Sequence, residues 1–361
     1  MPTKQSGPVL PDSFARVKGI EAYVRPAKVA NAIKLDSNEN MALERSIVAG
    51  ALAEAARAAD LREYPLEELD SLYAGLERYT GLDRKYICAG SGSDQIIELV
   101  LSSLGGRGSK ATVFSPTFSY FVSRCRLHDI KIESVPLKKD DFALETKKFV
   151  SSAKNSDLVY ICSPNNPTGN QIDRQDVLSV LDSVPVNTIV LLDEAYVEFA
   201  DYSLSSEAVK RGNLFVLRTL SKAFGLAGAR VGYMLTNSRA AEIFRSTIQS
   251  PYPISTISLL TATAVLAKAD KVLDSVRLVK SERARMLERL SGASRVKLFA
   301  SDSNFLFIAA GRNAGAIISD LTSENIVVKS LGDVAGYRGC LRITIATPDI
   351  NDSVLRCILR A

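Results

Sequence analysis

Lys222 and Arg230 stand eight residues apart in the run Arg218-Thr219-Leu220-Ser221-Lys222-Ala223-Phe224-Gly225-Leu226-Ala227-Gly228-Ala229-Arg230. With only small and apolar residues between them, the two cations can converge on one anion as the chain turns back. A lone lysine is ordinarily solvated surface. Lys222 instead sits among Leu220, Phe224 and Leu226, an apolar setting that lowers an amine's pKa and suits imine chemistry with a carbonyl.

Three further polar clusters follow apolar runs. Gly90-Ser91-Gly92-Ser93-Asp94 is a glycine-rich turn opening a helical pattern, where free backbone N–H groups and the helix dipole favour an anion such as phosphate. A dinucleotide reading fails because Gln95 occupies the slot of the third glycine. A plain helix cap by Ser93 or Asp94 explains the turn equally well. Ser163-Pro164-Asn165-Asn166-Pro167-Thr168-Gly169 reads as a tight turn that fixes an amide just past a strand. Asp193-Glu194-Ala195-Tyr196 places a carboxylate directly after an apolar strand, which is costly unless a cation or donors meet it; a helix-capping Asp is the alternative.

The elements that position these clusters are short apolar runs alternating with helical patterns between about residues 85 and 236. Runs at 86–89, 111–114, 158–161, 188–192, 214–217 and 231–234 are apolar on both alternating faces, as strands of a sheet covered on both sides are. Such alternation predicts an α/β layer with a mostly parallel sheet, whose ligands bind at the carboxyl ends of the strands. After a proline break near Ser250-Pro251-Tyr252-Pro253 the pattern changes. A charge-rich helix over 271–290 is followed by strand-like runs at 305–308, 326–328 and 341–345, which predict a second, smaller α/β domain. The expected division is an N-terminal arm at 1–40, a large domain at 41–253 and a small C-terminal domain at 254–361.

Composition narrows the partners. The 361 residues carry a net charge of only +5, spread along the chain without a dense basic stripe, which argues against nucleic acid. The five cysteines form no C-x-x-C pair and no zinc spacing, so no metal is expected. No run reaches the ~18 apolar residues of a membrane span, and the first residues lack an apolar signal segment, so a soluble cytoplasmic protein is expected.

Taken in order and spacing, Ser-Pro-Asn-Asn-Pro-Thr-Gly, Asp-Glu-Ala-Tyr and Arg-Thr-Leu-Ser-Lys-Ala-Phe-Gly-Leu-Ala-Gly resemble the fold-type I pyridoxal-phosphate enzymes, and more closely the histidinol-phosphate aminotransferase family. The similar stretches run from Lys34 to Thr344. The resemblance implies a seven-stranded-type sheet in the large domain and pyridoxal 5'-phosphate as cofactor. It implies that Lys222 binds the cofactor as a Schiff base, that Asp193 pairs with the ring nitrogen, and that Asn166 and Tyr196 bond the ring's phenolic oxygen. Arg230, Ser221 and the amides of Ser93 and Asp94 would cradle the phosphate, and Phe118 would stack on the ring where tyrosine is usual. Tyr64, of a Tyr-Pro pair, would reach the phosphate from a partner subunit, so the resemblance implies a homodimer with shared active sites.

Substrate binding is implied for Tyr23, Arg342 and Lys329, the last standing where arginine is common. The sequence also departs from the family after Asn38-Glu39-Asn40, where Met41-Ala42-Leu43 replaces the usual proline. The implied reaction moves an amino group between L-histidinol phosphate and 2-oxoglutarate, a small-molecule donor and a 2-oxo acid acceptor. The rivals are an aromatic amino acid aminotransferase and a phospho-amino-acid decarboxylase on the same fold. A cofactor-binding regulator would need an added nucleic-acid module, for which the chain has no room.

Overall fold

The computed structural model describes Phe14, Val17, Ile20 and residues 31–360. Twelve strands are found among them: β1 (Ile33–Leu35), β2 (Ile87–Gly90), β3 (Lys110–Ser115), β4 (Lys131–Pro136), β5 (Leu158–Cys162), β6 (Ile189–Asp193), β7 (Leu214–Thr219), β8 (Gly232–Leu235), β9 (Lys297–Leu298), β10 (Phe305–Ala309), β11 (Ile326–Val334) and β12 (Tyr337–Thr344). Seven of these form one sheet in the order β2-β8-β7-β6-β5-β3-β4, and five form a second in the order β1-β11-β12-β10-β9.

In the large sheet β4, β3, β5, β6 and β7 pair in parallel, whereas β8 runs antiparallel to both β7 and β2. The mostly parallel seven-stranded α/β sheet expected from the sequence is therefore present. Every residue of β2, β5, β7 and β8 is buried, the signature of strands covered on both faces. The antiparallel strand has a consequence for the site. Because β8 enters the sheet at the edge where its neighbours end, the residues just before it, including Arg230, arrive at the carboxyl ends of the parallel strands.

The second sheet takes β9, β10, β11 and β12 from the C-terminal region and β1 from the stretch before residue 40. β1 pairs in parallel with β11, Lys34 opposite Val327, so the chain leaves the small sheet directly into Asp36–Asn40. Helix Thr256–Leu266 packs on helices Arg45–Ala58 and Leu66–Thr80, and Ala269–Leu290 runs on from it as the long charged helix. Among the described residues no helix is long and apolar enough to cross a membrane, and no cluster of His, Cys, Asp and Glu has the arrangement of a metal site. All five cysteines are free and buried.

Candidate active site

A cleft of about 1220 Å³ opens at the carboxyl edge of the large sheet, with the small sheet forming its other wall. The ends of β2, β3, β5, β6 and β7 each deliver residues to it. Ser93, Asp94, Phe118, Asn166, Asp193, Tyr196, Ser221, Lys222, Arg230, Lys329 and Arg342 all line this one space. The clusters read separately from the sequence thus share one cavity.

Lys222 follows β7 on a turn that Gly225 closes, its N–H donating to the Lys222 carbonyl and Leu226 N–H to that of Leu220. Gly225 has φ +66°, and a Cβ there would lie 2.9 Å from Leu43 Cδ2, so both conformation and space require glycine. The turn aims the Lys222 amine into the cleft, where Nζ donates to the Ser37 carbonyl at 2.9 Å and lies 5.8 Å from the centroid of the Tyr196 ring. Burial, and then the nearby Arg342 cation, pull the amine's pKa down to about 8.

Asp193 ends β6 and is 3% exposed, which decides its chemistry. Its Oδ2 accepts from the Tyr160 hydroxyl at 2.7 Å and its Oδ1 from the Ala195 N–H at 3.1 Å. Burial raises the carboxyl pKa to about 6 against these two donors. Among the described residues no ion pair engages it. The adjacent carboxylate is differently placed: Glu194 pairs with Arg218 at 2.9 Å and accepts from Ser203 Oγ and Leu204 N–H. Successive residues at one strand end therefore divide, Glu194 into a structural ion pair and Asp193 toward the cleft.

The two asparagines after β5 divide in the same way. Asn165 is fully buried and ties the loop, donating to the Pro116 carbonyl and Thr168 Oγ1 and accepting from Thr117 Oγ1. Asn166 is left to face the cleft, where its Oδ1 accepts from Arg342 at 2.7 Å.

Helix Gly92–Val100 points its N-terminus at the cleft. Ser93 and Asp94 lie inside its first turn rather than at the cap, which Ser91 occupies without a side-chain bond. Their N–H groups belong to the set that has no partner within the helix. The Asp94 carboxylate meets Arg230 Nη2 at 2.9 Å, and Arg230 Nη1 donates to Ser221 Oγ at 3.4 Å. Gly92 has φ +80°, and a Cβ on it would lie 2.6 Å from Arg230 Nη2, so this glycine lets the guanidinium close over the helix end.

On the opposite wall Arg342 of β12 is registered against Lys329 of β11, which brings the two cations side by side. Phe118 lines the cleft beside Tyr120, ring centroids 5.8 Å apart. Tyr64 is 74% exposed and stacks on Tyr252 at 4.4 Å, outside the cleft of its own chain. Tyr23 lies outside the described residues. Two contributors were missed in the sequence. Tyr160 is a strand residue whose hydroxyl has no local cue, and Asn38, of Asn38-Glu39-Asn40, contacts Tyr196.

The family model for class I and II aminotransferases matches residues 30–358. The chain is similar to the histidinol-phosphate aminotransferase of Caldanaerobacter subterraneus subsp. tengcongensis, with 30% identity over 95% of this chain and 96% of that protein. Its similarity to the histidinol-phosphate aminotransferase of Pyrococcus furiosus is 33% identity over 83% of each chain. The crystal structure of the Sinorhizobium meliloti histidinol-phosphate aminotransferase in complex with pyridoxal-5'-phosphate matches with a TM-score of 0.80 and 25% identity, over 91% of this chain and 90% of that one. With its cleft at the carboxyl edge and its lysine on the turn after β7, the chain belongs to the class I and II aminotransferase family, among relatives named histidinol-phosphate aminotransferase.

Proposed function

We propose that the chain is a pyridoxal-phosphate-dependent enzyme that moves an amino group between L-histidinol phosphate and 2-oxoglutarate. The observation that carries the cofactor is Asp193, a buried carboxylate without a cation among the described residues, in the same cleft as a lysine of lowered pKa. A cationic ring nitrogen supplies the missing partner, and the helix end with Arg230 and Ser221 supplies donors for a phosphate. The residues present therefore fit pyridoxal phosphate. When bound, that group provides a carbonyl that condenses with amines and a ring that takes up electrons.

The chain's own residues do the rest. Lys222 holds a largely uncharged amine a little above pH 8, ready to bond a carbonyl, and its Nζ then carries the proton that leaves the substrate's amine-bearing carbon. Asp193 keeps the ring nitrogen protonated. Tyr196 and the Asn166 amide hold the ring's oxygen, and Arg342 fixes that amide by occupying its Oδ1. Phe118 covers the ring, a task that needs no hydroxyl. Ser93 and Asp94 N–H groups, Ser221 and Arg230 take the cofactor phosphate.

Substrate recognition rests on Lys329 and Arg342, with Tyr23 joining them. Two adjacent cations favour a dianionic phosphate over a monoanion. Lys329 contributes as a point charge where a guanidinium would bind bidentately. The names of the relatives support the same substrate. The reading includes a cytoplasmic homodimer in which Tyr64 completes the partner's phosphate site. Its exposed position with Leu61 and Leu66 suits a covered face. Neither nucleic acid nor membrane has a place in it.

Steady-state comparison of histidinol phosphate, unphosphorylated histidinol and phenylalanine, each with 2-oxoglutarate, tests the reading. Preference for histidinol phosphate supports it. Equal or faster turnover of phenylalanine would assign the aromatic reaction instead, and carbon dioxide released from phospho-amino acids without an acceptor would assign the decarboxylase.

A further inference from the structure

Three consecutive residues on the strand-to-helix connection after β1 hold three different side chains of the cleft. The Asp36 carbonyl accepts from Arg342 Nη2 at 2.6 Å, the Ser37 carbonyl from Lys222 Nζ at 2.9 Å, and Asn38 Nδ2 donates to the Tyr196 hydroxyl oxygen at 2.9 Å. The segment is anchored from the small sheet. Asn38 N–H donates to Thr344 Oγ1 at 3.0 Å and its carbonyl accepts from Asn304 Nδ2 at 2.9 Å. Asn38 is 1% exposed and has φ 58°, a left-handed conformation that asparagine tolerates better than most residues.

The direction of the Asn38–Tyr196 bond matters. Thr344 Oγ1 lies 3.5 Å from Asn38 Oδ1, which turns the amide's NH₂ end toward the phenol. A phenol oxygen that accepts from an amide has one proton left to give, and that proton must point elsewhere. Tyr196 lies edge-on to Phe305 at 5.3 Å and beneath the Lys222 amine, so the open direction is the cleft.

We propose that Asn38 is a positioning residue for the transamination site, which fixes the Tyr196 hydroxyl as a hydrogen-bond donor to the bound cofactor's ring oxygen. This rests on the pyridoxal-phosphate reading above. Donation to the ring oxygen favours its ionised form and so helps the bound group release the proton it shares with Lys222. Without Asn38 the phenol is free to rotate and that donation weakens.

The test is a pH titration of visible absorbance of the cofactor-loaded protein without substrate, in wild type, Asn38→Gly, Asn38→Asp, Tyr196→Phe and the double variant Asn38→Gly/Tyr196→Phe. Glycine accepts the left-handed backbone, and aspartate keeps the shape but accepts instead of donating. The absorbance midpoint of Asn38→Gly should rise by roughly half a pH unit to one unit, the worth of one hydrogen bond. Asn38→Asp should rise further, because its carboxylate captures the phenol proton. Adding Asn38→Gly to Tyr196→Phe should move the midpoint no more. Coloured variants with an unmoved midpoint, or the same rise with and without the Tyr196 hydroxyl, overturn the role of Asn38 and leave the cofactor reading standing. A wild type that takes up no pyridoxal phosphate overturns that reading and this inference with it.

Discussion

Arg342 on the small sheet donates to Asn166 Oδ1, on the loop that follows β5 of the large sheet, across 2.7 Å. One side chain therefore joins the wall proposed to take the substrate to the amide proposed to face the cofactor ring. If Arg342 binds an anionic substrate, as proposed, the same guanidinium links that substrate to the amide. kcat/KM for histidinol phosphate should exceed that for histidinol by a few orders of magnitude, since a dianion between two cations gains more than a neutral hydroxyl does. Arg342→Ala should remove most of that ratio while the cofactor stays bound. Lys329→Arg should keep or raise it. Loss of cofactor from Arg342→Ala would contradict this placement.

Lys222 reactivity should follow its lowered pKa. The amine is uncharged above about pH 8 rather than above 10.5, so the rate at which apoprotein takes up pyridoxal phosphate should climb through pH 8 and then level off. Borohydride treatment of the coloured protein should fix the label on Lys222. A label on another lysine would refute the assignment.

The Asp193 carboxyl, raised to about 6, sets the acid side. Above that pH the ionised group attracts a protonated ring nitrogen; as pH falls through 6 it takes up a proton and the attraction is lost. Cofactor affinity measured by fluorescence should therefore weaken below pH 6, and Asp193→Asn should weaken it above pH 6, where the wild-type carboxyl is ionised, and flatten the acid limb. The same acid limb in Asp193→Asn would place its origin elsewhere. For the cofactor-free fold the sign is opposite. The folded protein binds the extra proton between about 3.8 and 6, so Asp193 burial favours stability at the low end of that window.

Tyr64 gives a test of shared sites. Tyr64→Phe should weaken cofactor binding by about 2 kcal/mol, roughly thirtyfold, for one lost hydrogen bond to a charged phosphate. In mixed dimers with Lys222→Ala, one site regains both Tyr64 and Lys222. A population with wild-type cofactor affinity should appear on mixing, and its absence after subunit exchange would count against the partner's Tyr64.

What the sequence conveyed was local. Strands buried on both faces, such as Leu158–Cys162, read clearly as apolar runs, and the polar residues after them marked the carboxyl edge of the sheet. β4 was not legible because this edge strand buries little besides Val135, leaving Lys131-Ile132-Glu133-Ser134 without a strong pattern. Nor could periodicity tell that β8 runs antiparallel, since strand direction depends on partners distant in sequence. Long-range pairings were hidden for the same reason. Asp94 reaches Arg230 across 136 positions, and Arg218 with Glu194 forms a buried pair whose partners only the fold brings together. Asn38 stood in a recognisable motif, but its task depends on a phenol 158 residues away.

The most direct measurement of the central claim is the single-turnover absorbance change of the pyridoxal-phosphate-loaded protein on mixing with histidinol phosphate alone. The account predicts rapid loss of the yellow band, with one equivalent of amino group retained on the protein and returned to 2-oxoglutarate as glutamate. The same change should be absent in Lys222→Ala. An unchanged spectrum with histidinol phosphate, alongside a rapid change with phenylalanine or glutamate, would contradict it.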